Sequence, residues 1–318
     1  MMGEDAIREL IDKLMEVADW PEPRKLDLFL CSDGGDSVLP WRLVPIFRTF
    51  AKSFSVLVPY HAYSAATILA LGANEIVMHP FGVLGPIDPT VSNAFNPEVQ
   101  GRPVGISVED VKAYIHFVKQ TVGITHEDEL VQLLAILAEK VHPLALGNVE
   151  RFLSQSRMIA RKLLNTHMSD FSDRDIDDIV ENLASKLFFH GHPINRTEAV
   201  KDLRLKVATD VPAALEDAMW RLYVDFEAEF RNREPFQPWV ELAAKLPPWT
   251  LPATGAAPAP ALVQETMEVA LTIVESTTSS TVQTLTKRYT LITTLGEADQ
   301  PRVDTLGSRW SHTPASGP

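Results

Sequence analysis

The chain has 318 residues, of which 45% are hydrophobic and 22% are charged, and its formal net charge is −13 at pH 7. This length suits one large domain or two, and the balanced composition excludes a fibrous or generally disordered chain. The acidic charge argues against a nucleic-acid-binding surface, because such surfaces use Lys and Arg to neutralise phosphates.

The only cysteine is Cys31, which cannot form an intrachain disulfide and is expected to be an inert thiol buried in a strand. Residues 1–20 mix acids and bases through their apolar positions, unlike a signal peptide. No run reaches the roughly 18 apolar residues of a membrane span. We therefore expect a cytoplasmic protein without an integral membrane segment.

The first part of the chain alternates between helix-like and strand-like segments. Apolar residues between Ile7 and Met15 recur at helical spacing and predict an amphipathic N-terminal helix within residues 1–20. Strands are predicted at 26–31, 55–60 and 75–79, and helices at 38–52 and from about Ser64 onward. This alternation predicts an α/β fold with mainly parallel strands.

The middle of the chain is predicted to be mostly helical. Periodic segments lie at 107–121, 126–140, 148–166 and 173–188. Ser172 or Asp173 is in position to cap the last of these helices. A short helix RTEAVKDL, a strand LKVATDV and a helix over 212–231 follow.

The composition changes after Pro235, where Pro and Ala become frequent as in a linker. A Thr/Ser-rich stretch beyond it has enough β-branched residues for one or two strands, and residues from about 297 onward are expected to be disordered. The predicted organisation is therefore an N-terminal helix at 1–20, a main α/β domain at 21–235, and a Pro/Ala linker with a partly disordered tail at 236–318.

Four short loops follow or precede predicted elements and carry polar side chains, namely SDGGD at 32–36, HAYSAA at 61–66, LGPIDP at 84–89 and HGHPIN at 190–195. Ser64 lies where a strand ends and a helix of small residues begins. The amide of Ala65, with amides near Gly34 and Gly35, could therefore form an oxyanion hole. Serine needs a base oriented by a third group, and the residues alone do not select one among nine histidines.

The runs LCSDGGDSV and HAYSAATILALGANEIVMHPFGVLGPIDPTV resemble the serine dehydrogenase proteinase family, which is related to the Clp protease proteolytic subunit and to signal peptide peptidase A. The resemblance covers roughly residues 25–230. It implies a Clp protease/crotonase-like core of repeated strand-strand-helix units with helical additions. The 29 positions from Gly35 to Ser64 match the spacing of the oxyanion glycine and the serine in Clp-type proteases.

The same resemblance implies a triad with the chain order Ser, Asp, His. About 25 residues past the serine, Clp-type proteases place their catalytic histidine, whereas this chain has Asp88 there. His190 and His192 flank the place of the Clp aspartate, so the base and the orienting acid have exchanged positions. His190 is preferred as the base because it lies three residues before the Pro-Ile pair of the family pattern, and His192 is the alternative.

This sequence departs from the family at Ala66, where glycine is usual after Ser-Ala. The alternative of a Ser-Lys dyad would use Lys112 or Lys119, both in an amphipathic helix. The motif G-x-S-x-G of α/β-hydrolases is absent, which disfavours that fold.

The resulting hypothesis is a serine peptidase that acts through an acyl-enzyme without ATP, metal or redox cofactor. Its expected partners are a peptide or protein substrate and further copies of itself. Two rival interpretations stay open, a non-proteolytic crotonase-like enzyme acting on acyl thioesters and a catalytically silent oligomeric scaffold in which Ser64 only caps its helix.

Overall fold

A computed structural model describes residues 2–17, 24–87, 90–91, 95–99, 102–186, 192–247, 260–294 and 299–314. The chain divides into two compact units. The first comprises Met1–Ile7 and Ala18–Tyr223, and the second comprises Arg8–Val17 and Val224–Pro318.

The helices, in chain order, are α1 (Ala6–Glu16), α2 (Leu39–Phe50), α3 (Ala65–Leu71), α4 (Val108–His116), α5 (Glu127–Lys140), α6 (Pro143–Leu164), α7 (Asp173–Glu181), α8 (Arg196–Lys201), α9 (Ala213–Glu229) and α10 (Pro238–Ala244). Turns of π-helix continue α4 over Phe117–Val122 and follow α7 over Asn182–Lys186.

The strands are β1 (Lys25–Phe29), β2 (Ser53–Val58), β3 (His61–Ala62), β4 (Glu75–Met78), β5 (Val83–Leu84), β6 (Thr90–Val91), β7 (Glu98–Val99), β8 (Arg102–Pro103), β9 (Ile106–Ser107), β10 (Ile194–Asn195), β11 (Ala261–Glu275), β12 (Ser279–Thr293) and β13 (Gln300–Pro314).

The first sheet of the first unit is parallel and has the strand order β1–β2–β4. Its central strand fully buries Phe54, Val56 and Val58. A near-continuous apolar run is typical of parallel strands that are covered on both faces. Beyond β4, Ile76 forms an isolated parallel bridge with Val207.

The second sheet has the order β10–β5–β3 and positions the candidate site. Strand β3 is parallel to β5, whereas β10 is antiparallel to β5 with Ile194 opposite Leu84. Ser32 bridges Ala62 on the other side of β3. The carboxyl ends of β3 and β5 and the amino end of β10 therefore lie at one edge of this sheet.

Helix α3 fixes the position of that edge because all seven of its residues are buried. It packs against α2 and α6. At its carboxyl end, a Cβ on Gly72 would lie within 2.4 Å of Val44 on α2, so the close approach of the two helices requires glycine there.

The second unit contains an antiparallel sheet of order β11–β12–β13. Leu242 of α10 packs with Tyr289 and Leu291 of β12 in a small apolar core. At the β11–β12 turn, the Glu16 carboxylate accepts hydrogen bonds from Ser276 (2.8 Å) and Ser279 (2.6 Å). Burial acts to raise the pKa of Glu16, but these hydrogen bonds outweigh it and lower the pKa to about 2.

Most of the predicted elements are confirmed. The strands at β1, β2 and β4, the helices α1 to α3 and the four central helical segments lie within a few residues of their predicted bounds. Ser172 caps α7 in a capping box with Asp175, as the sequence indicated.

Three expectations were wrong. The segment LKVATDV is not a strand, because only Val207 bridges another residue. Part of the expected linker forms helix α10, which begins at Pro238 and buries Leu242. The tail expected to be disordered from about 297 contains the 15-residue strand β13. The backbone groups of β13 form hydrogen bonds with β12. Its side chains are mostly exposed, so the sequence lacks the apolar alternation from which a strand is predicted.

Within the described ranges, no helix by itself has the length and apolarity to cross a membrane. Helices α5 (Glu127–Lys140) and α6 (Pro143–Leu164), which meet at a bend of 100°, together have the length and apolar composition of a membrane span, but no other observation points to one.

Candidate active site

Ser64 lies in a tight turn that joins β3 directly to α3. The Ala66 amide donates to the Tyr63 carbonyl at 2.9 Å, which closes the turn, and Ser64 has φ 51° and ψ −116°. These angles match the first central position of a type II′ turn, which glycine usually occupies. A serine in this conformation stores about 1–3 kcal/mol of backbone strain, and such strain concentrates at functional sites.

The Ser64 hydroxyl does not cap α3. Although Ser64 is the residue before the helix, its side chain makes no capping hydrogen bond, and it is half-buried. This geometry argues against the interpretation in which Ser64 serves only as a helix cap. The strained turn is similar in principle to the strand-to-helix turn that presents the serine nucleophile in α/β-hydrolases.

The glycine turn SDGGD packs against the Ser64 turn. Gly34 and Gly35 have φ of 96° and 151°, in the region that favours glycine. A Cβ on Gly34 would lie 2.7 Å from the Tyr63 carbonyl oxygen and 2.9 Å from Ser64 Cβ. Only glycine permits this contact between the two turns.

The hydrogen bonds of this turn show which of the three candidate oxyanion donors are already engaged. The Gly34 amide donates to Ser32 Oγ at 3.1 Å, so it is already engaged within its own turn. Among the described residues, the amides of Gly35 and Ala65 have no acceptor. Gly34 therefore provides the close contact, and Gly35 and Ala65 retain available N–H groups.

Thr67 is a buried residue of the site that the sequence analysis missed. Its hydroxyl lies 2.7 Å from the Ala62 carbonyl and 2.9 Å from the Gly85 carbonyl, and it accepts from the Gly85 amide at 3.1 Å. It thereby ties α3 to the ends of β3 and β5. The only sequence signal was a hydroxyl in an otherwise apolar helix.

The predicted triad is only partly covered by the structure. Asp88 and His190 lie outside the described residues, so their roles stay predictions. His192 is half-buried, and its Nε2 lies 2.8 Å from Glu198 Oε1. Of the alternative lysines, Lys119 is exposed in the π-helical turn after α4, and the side chain of Lys112 lies outside the described part of the chain.

A second polar cluster lies beside the glycine turn, where Cys31 is exposed rather than buried in a strand. Its Sγ is 3.7 Å from His61 Nδ1, and His61 Nε2 is 3.1 Å from Asp33 Oδ1. The thiol is exposed because β1 ends at Phe29, before Cys31 is reached. The His61 ring also stacks on the Tyr63 ring, with centroids 4.9 Å apart. Contacts with Cys31, Asp33 and Tyr63 therefore fix the position of this ring.

His79 is also held in a defined environment. It is buried, accepts from the Phe81 amide at Nδ1 (3.1 Å) and stacks on Trp220 with centroids 5.2 Å apart. Burial lowers the pKa of His79. This ring is therefore favoured in its neutral form.

Comparison with known proteins agrees with the resemblance seen in the sequence. Residues 7–102 match the family described as ClpP-like SDH-type serine proteinase, a segment that includes both the glycine turn and Ser64. This segment of the chain is therefore similar to that family.

Two uncharacterized proteins of Methanocaldococcus jannaschii, MJ0137 and MJ1495, are 27% and 24% identical to the chain over 192 residues. The match covers 60% of this chain and 56% and 55% of those two proteins, so the chain spans about half the length of these relatives.

Two solved structures show a partial likeness at 15% identity. Both are mutants of the 1510-N membrane-bound stomatin-specific protease, one of them in complex with a substrate peptide. Their TM-scores are 0.38 and 0.39, with 66% and 65% of this chain and 76% and 71% of those chains covered.

The strain at Ser64 predicts an unusual order of stabilities. We expect Ser64→Gly to be more stable than Ser64→Ala by about 1 kcal/mol in urea denaturation, because glycine adopts positive φ without a Cβ clash. At the exposed helical position Ser154 in α6, the order should be reversed, with glycine less stable than alanine by about 1 kcal/mol. The same order at both positions would contradict the strained turn.

Thr67 should be needed for the integrity of the turn. We expect Thr67→Val, which keeps the shape but removes the hydroxyl, to lose about 1–3 kcal/mol of unfolding free energy because the Gly85 amide becomes an unpaired buried donor. Thr67→Ser keeps the hydroxyl and should retain most of the stability. Urea denaturation of the two variants provides the measurement, and an equal loss in both would contradict this role.

Proposed function

We propose that this protein is a serine peptidase that cleaves peptide bonds through an acyl-enzyme formed on Ser64. The observation that carries the proposal is the strained turn at Ser64, whose hydroxyl does not cap the helix and which packs directly against the glycine turn. A strained non-glycine residue at a strand-to-helix turn supports a functional rather than a structural role. The family match over residues 7–102 supports the same assignment.

The order of strands supports the participation of Asp88 and His190. Ser64 follows β3, Asp88 follows Ile87 beyond β5, and His190 precedes His192 ahead of β10. Because β3 and β5 are parallel and β10 is antiparallel to β5, the strand ends next to these three positions in the sequence lie at one edge of the sheet. The described neighbours Ile87 and His192 are consistent with a triad assembled there.

In the proposed reaction, Ser64 Oγ attacks the carbonyl carbon of the scissile peptide bond while His190 accepts its proton. Asp88 orients the imidazole and stabilises its charged form. The amides of Gly35 and Ala65 donate to the developing oxyanion, and each such donor is worth on the order of 100- to 1000-fold in rate. The imidazolium then protonates the leaving amine, and a water molecule hydrolyses the acyl-enzyme by the same route.

We further propose that bond cleavage itself needs no ATP, and that the protein acts as a homo-oligomer on peptide or protein substrates. Ser-His-Asp chemistry supplies its own nucleophile and base, so neither step of the proposed reaction uses a nucleotide.

The proposal is tested by labelling the folded protein with a fluorophosphonate, which reacts only with activated serines. We expect labelling that Ser64→Ala abolishes and that His190→Ala slows by at least about 1000-fold, since a triad member is lost. His192→Ala should label at nearly the parent rate. Circular dichroism of each variant controls for folding.

The other outcomes assign the alternatives. Loss of labelling in His192→Ala but not in His190→Ala would make His192 the base. Loss in Lys112→Ala or Lys119→Ala, with both histidine variants active, would favour a Ser-Lys dyad. Absence of labelling in the folded parent protein would contradict the peptidase and favour a crotonase-like enzyme or a silent scaffold.

A further inference from the structure

A thiol, an imidazole and a carboxylate lie together beside the glycine turn, and the proposed reaction uses none of them. Cys31 Sγ lies 3.7 Å from His61 Nδ1 and 4.0 Å from His61 Nε2. His61 Nε2 in turn lies 3.1 Å from Asp33 Oδ1. A ring whose Nε2–H donates to Asp33 has Nδ1 in position to accept the thiol proton. A nucleophile beside a base that a third group orients is the general arrangement of an activated nucleophile.

The backbone places these three side chains together. The Ser32 amide donates to the His61 carbonyl at 3.0 Å, and Ser32 forms a parallel bridge with Ala62. Successive side chains of paired extended segments point to opposite faces, so Cys31 and Asp33 lie on the face opposite to Ser32. His61 shares that face, whereas Ala62 is buried on the other. The cluster therefore follows from strand pairing rather than from a chance meeting of long side chains.

The thiol of this cluster is accessible and its imidazole is held in place. Cys31 is exposed, whereas the His61 side chain is only 19% exposed and stacks on Tyr63. Burial raises the pKa of Tyr63, and the neighbouring Tyr60 and Asp33 raise it further. The phenol of Tyr63 therefore stays neutral, so Asp33 supplies the negative charge next to the His61 ring.

The chemistry of this arrangement is that of a reactive thiol. The thiolate is the nucleophilic form of cysteine, and a positive charge beside it stabilises that form. When His61 accepts the Cys31 proton it becomes such a charge, and the Asp33 carboxylate stabilises the imidazolium. A disulfide is attacked by a thiolate at one sulfur and loses the other, so this exchange needs no further catalytic group.

We propose that Cys31 is a modification site that forms mixed disulfides with low-molecular-weight disulfides, with His61 as its base and Asp33 as a positioning residue. The Cys31 proton passes to His61 while Sγ bonds to one sulfur of the small disulfide. The bond between the two sulfurs of that disulfide breaks, and the departing sulfur takes the proton from the imidazolium. Cys31 is thereby oxidised to a disulfide, and the departing half of the reagent is reduced to a thiol.

This modification goes beyond the proposed function, because no step of it uses Ser64. Cys31 is the only cysteine among the 318 residues, so no second thiol of this chain can displace the small molecule from it. The mixed disulfide therefore persists until an external thiol reduces it. The single cysteine also means that a thiol reagent reports on this site alone.

The test measures the second-order rate constant of the folded protein with dithiodipyridine, an uncharged disulfide whose released half is detected by its absorbance. We expect His61→Gln to react on the order of 5-fold more slowly than the parent at neutral pH, because the charge beside the thiolate is lost. His126→Gln removes an exposed histidine at the start of α5 and should react at the parent rate. Cys31→Ser should not react.

Substitutions of Asp33 test its positioning role and remain informative if His61→Gln does not fold, because this side chain is 82% exposed. We expect Asp33→Ala to slow the reaction on the order of 3-fold, because the imidazolium loses its partner. Asp33→Asn keeps an oxygen that accepts from the ring and should restore part of the rate. In urea that unfolds the protein, every variant that retains Cys31 should react at one common rate.

Three results would overturn the inference. These are equal rates for the folded parent, His61→Gln and Asp33→Ala, no reaction of the folded parent, and a difference between variants that persists in unfolding urea. Circular dichroism of each variant confirms that rates are compared between folded proteins.

Discussion

The rest of the candidate site depends on the contact between two turns, one carrying Gly34 and the other carrying Ser64. Strand β3 ends at Ala62 and α3 begins at Ala65, so the chain must reverse within two residues. Because α3 is wholly buried, the helix cannot shift to relax that reversal, and Ser64 takes a backbone conformation that serine otherwise avoids. Gly34 packs against Ser64 Cβ. The Thr67 hydroxyl links α3 to the ends of β3 and β5 through the carbonyls of Ala62 and Gly85.

This arrangement explains why two glycines are needed where one would make a turn. Gly34 faces the turn that carries Ser64 and Gly35 faces the backbone of Met2, and a Cβ on either would collide with backbone atoms. The two glycines therefore allow the turn to pack closely against two separate segments of backbone.

The sequence predicted much of the fold because its signals were local. Apolar runs such as SVLV and helical spacing from Ile7 to Met15 depend on near neighbours, and those elements were found close to their predicted bounds. The exposed strand β13 gave no apolar pattern, since its backbone is satisfied by pairing with β12 rather than by burial. Ser64 and the glycine pair could be selected from the sequence, but Thr67 acts through contacts with Ala62 and Gly85 at two strand ends, which no local pattern reports. The engaged Gly34 amide and the exposed Cys31 depend on the conformation of the loop after β1, which residue spacing does not specify.

The most direct test of the central claim is a crystal structure of the protein after reaction with a fluorophosphonate. The account predicts phosphorus bonded to Ser64 Oγ, with Ser64 at positive φ and a phosphonyl oxygen about 2.7–3.1 Å from the amide nitrogens of Gly35 and Ala65. Ser64 in an ordinary helical or extended conformation, or a phosphonyl oxygen that contacts neither amide, would contradict it.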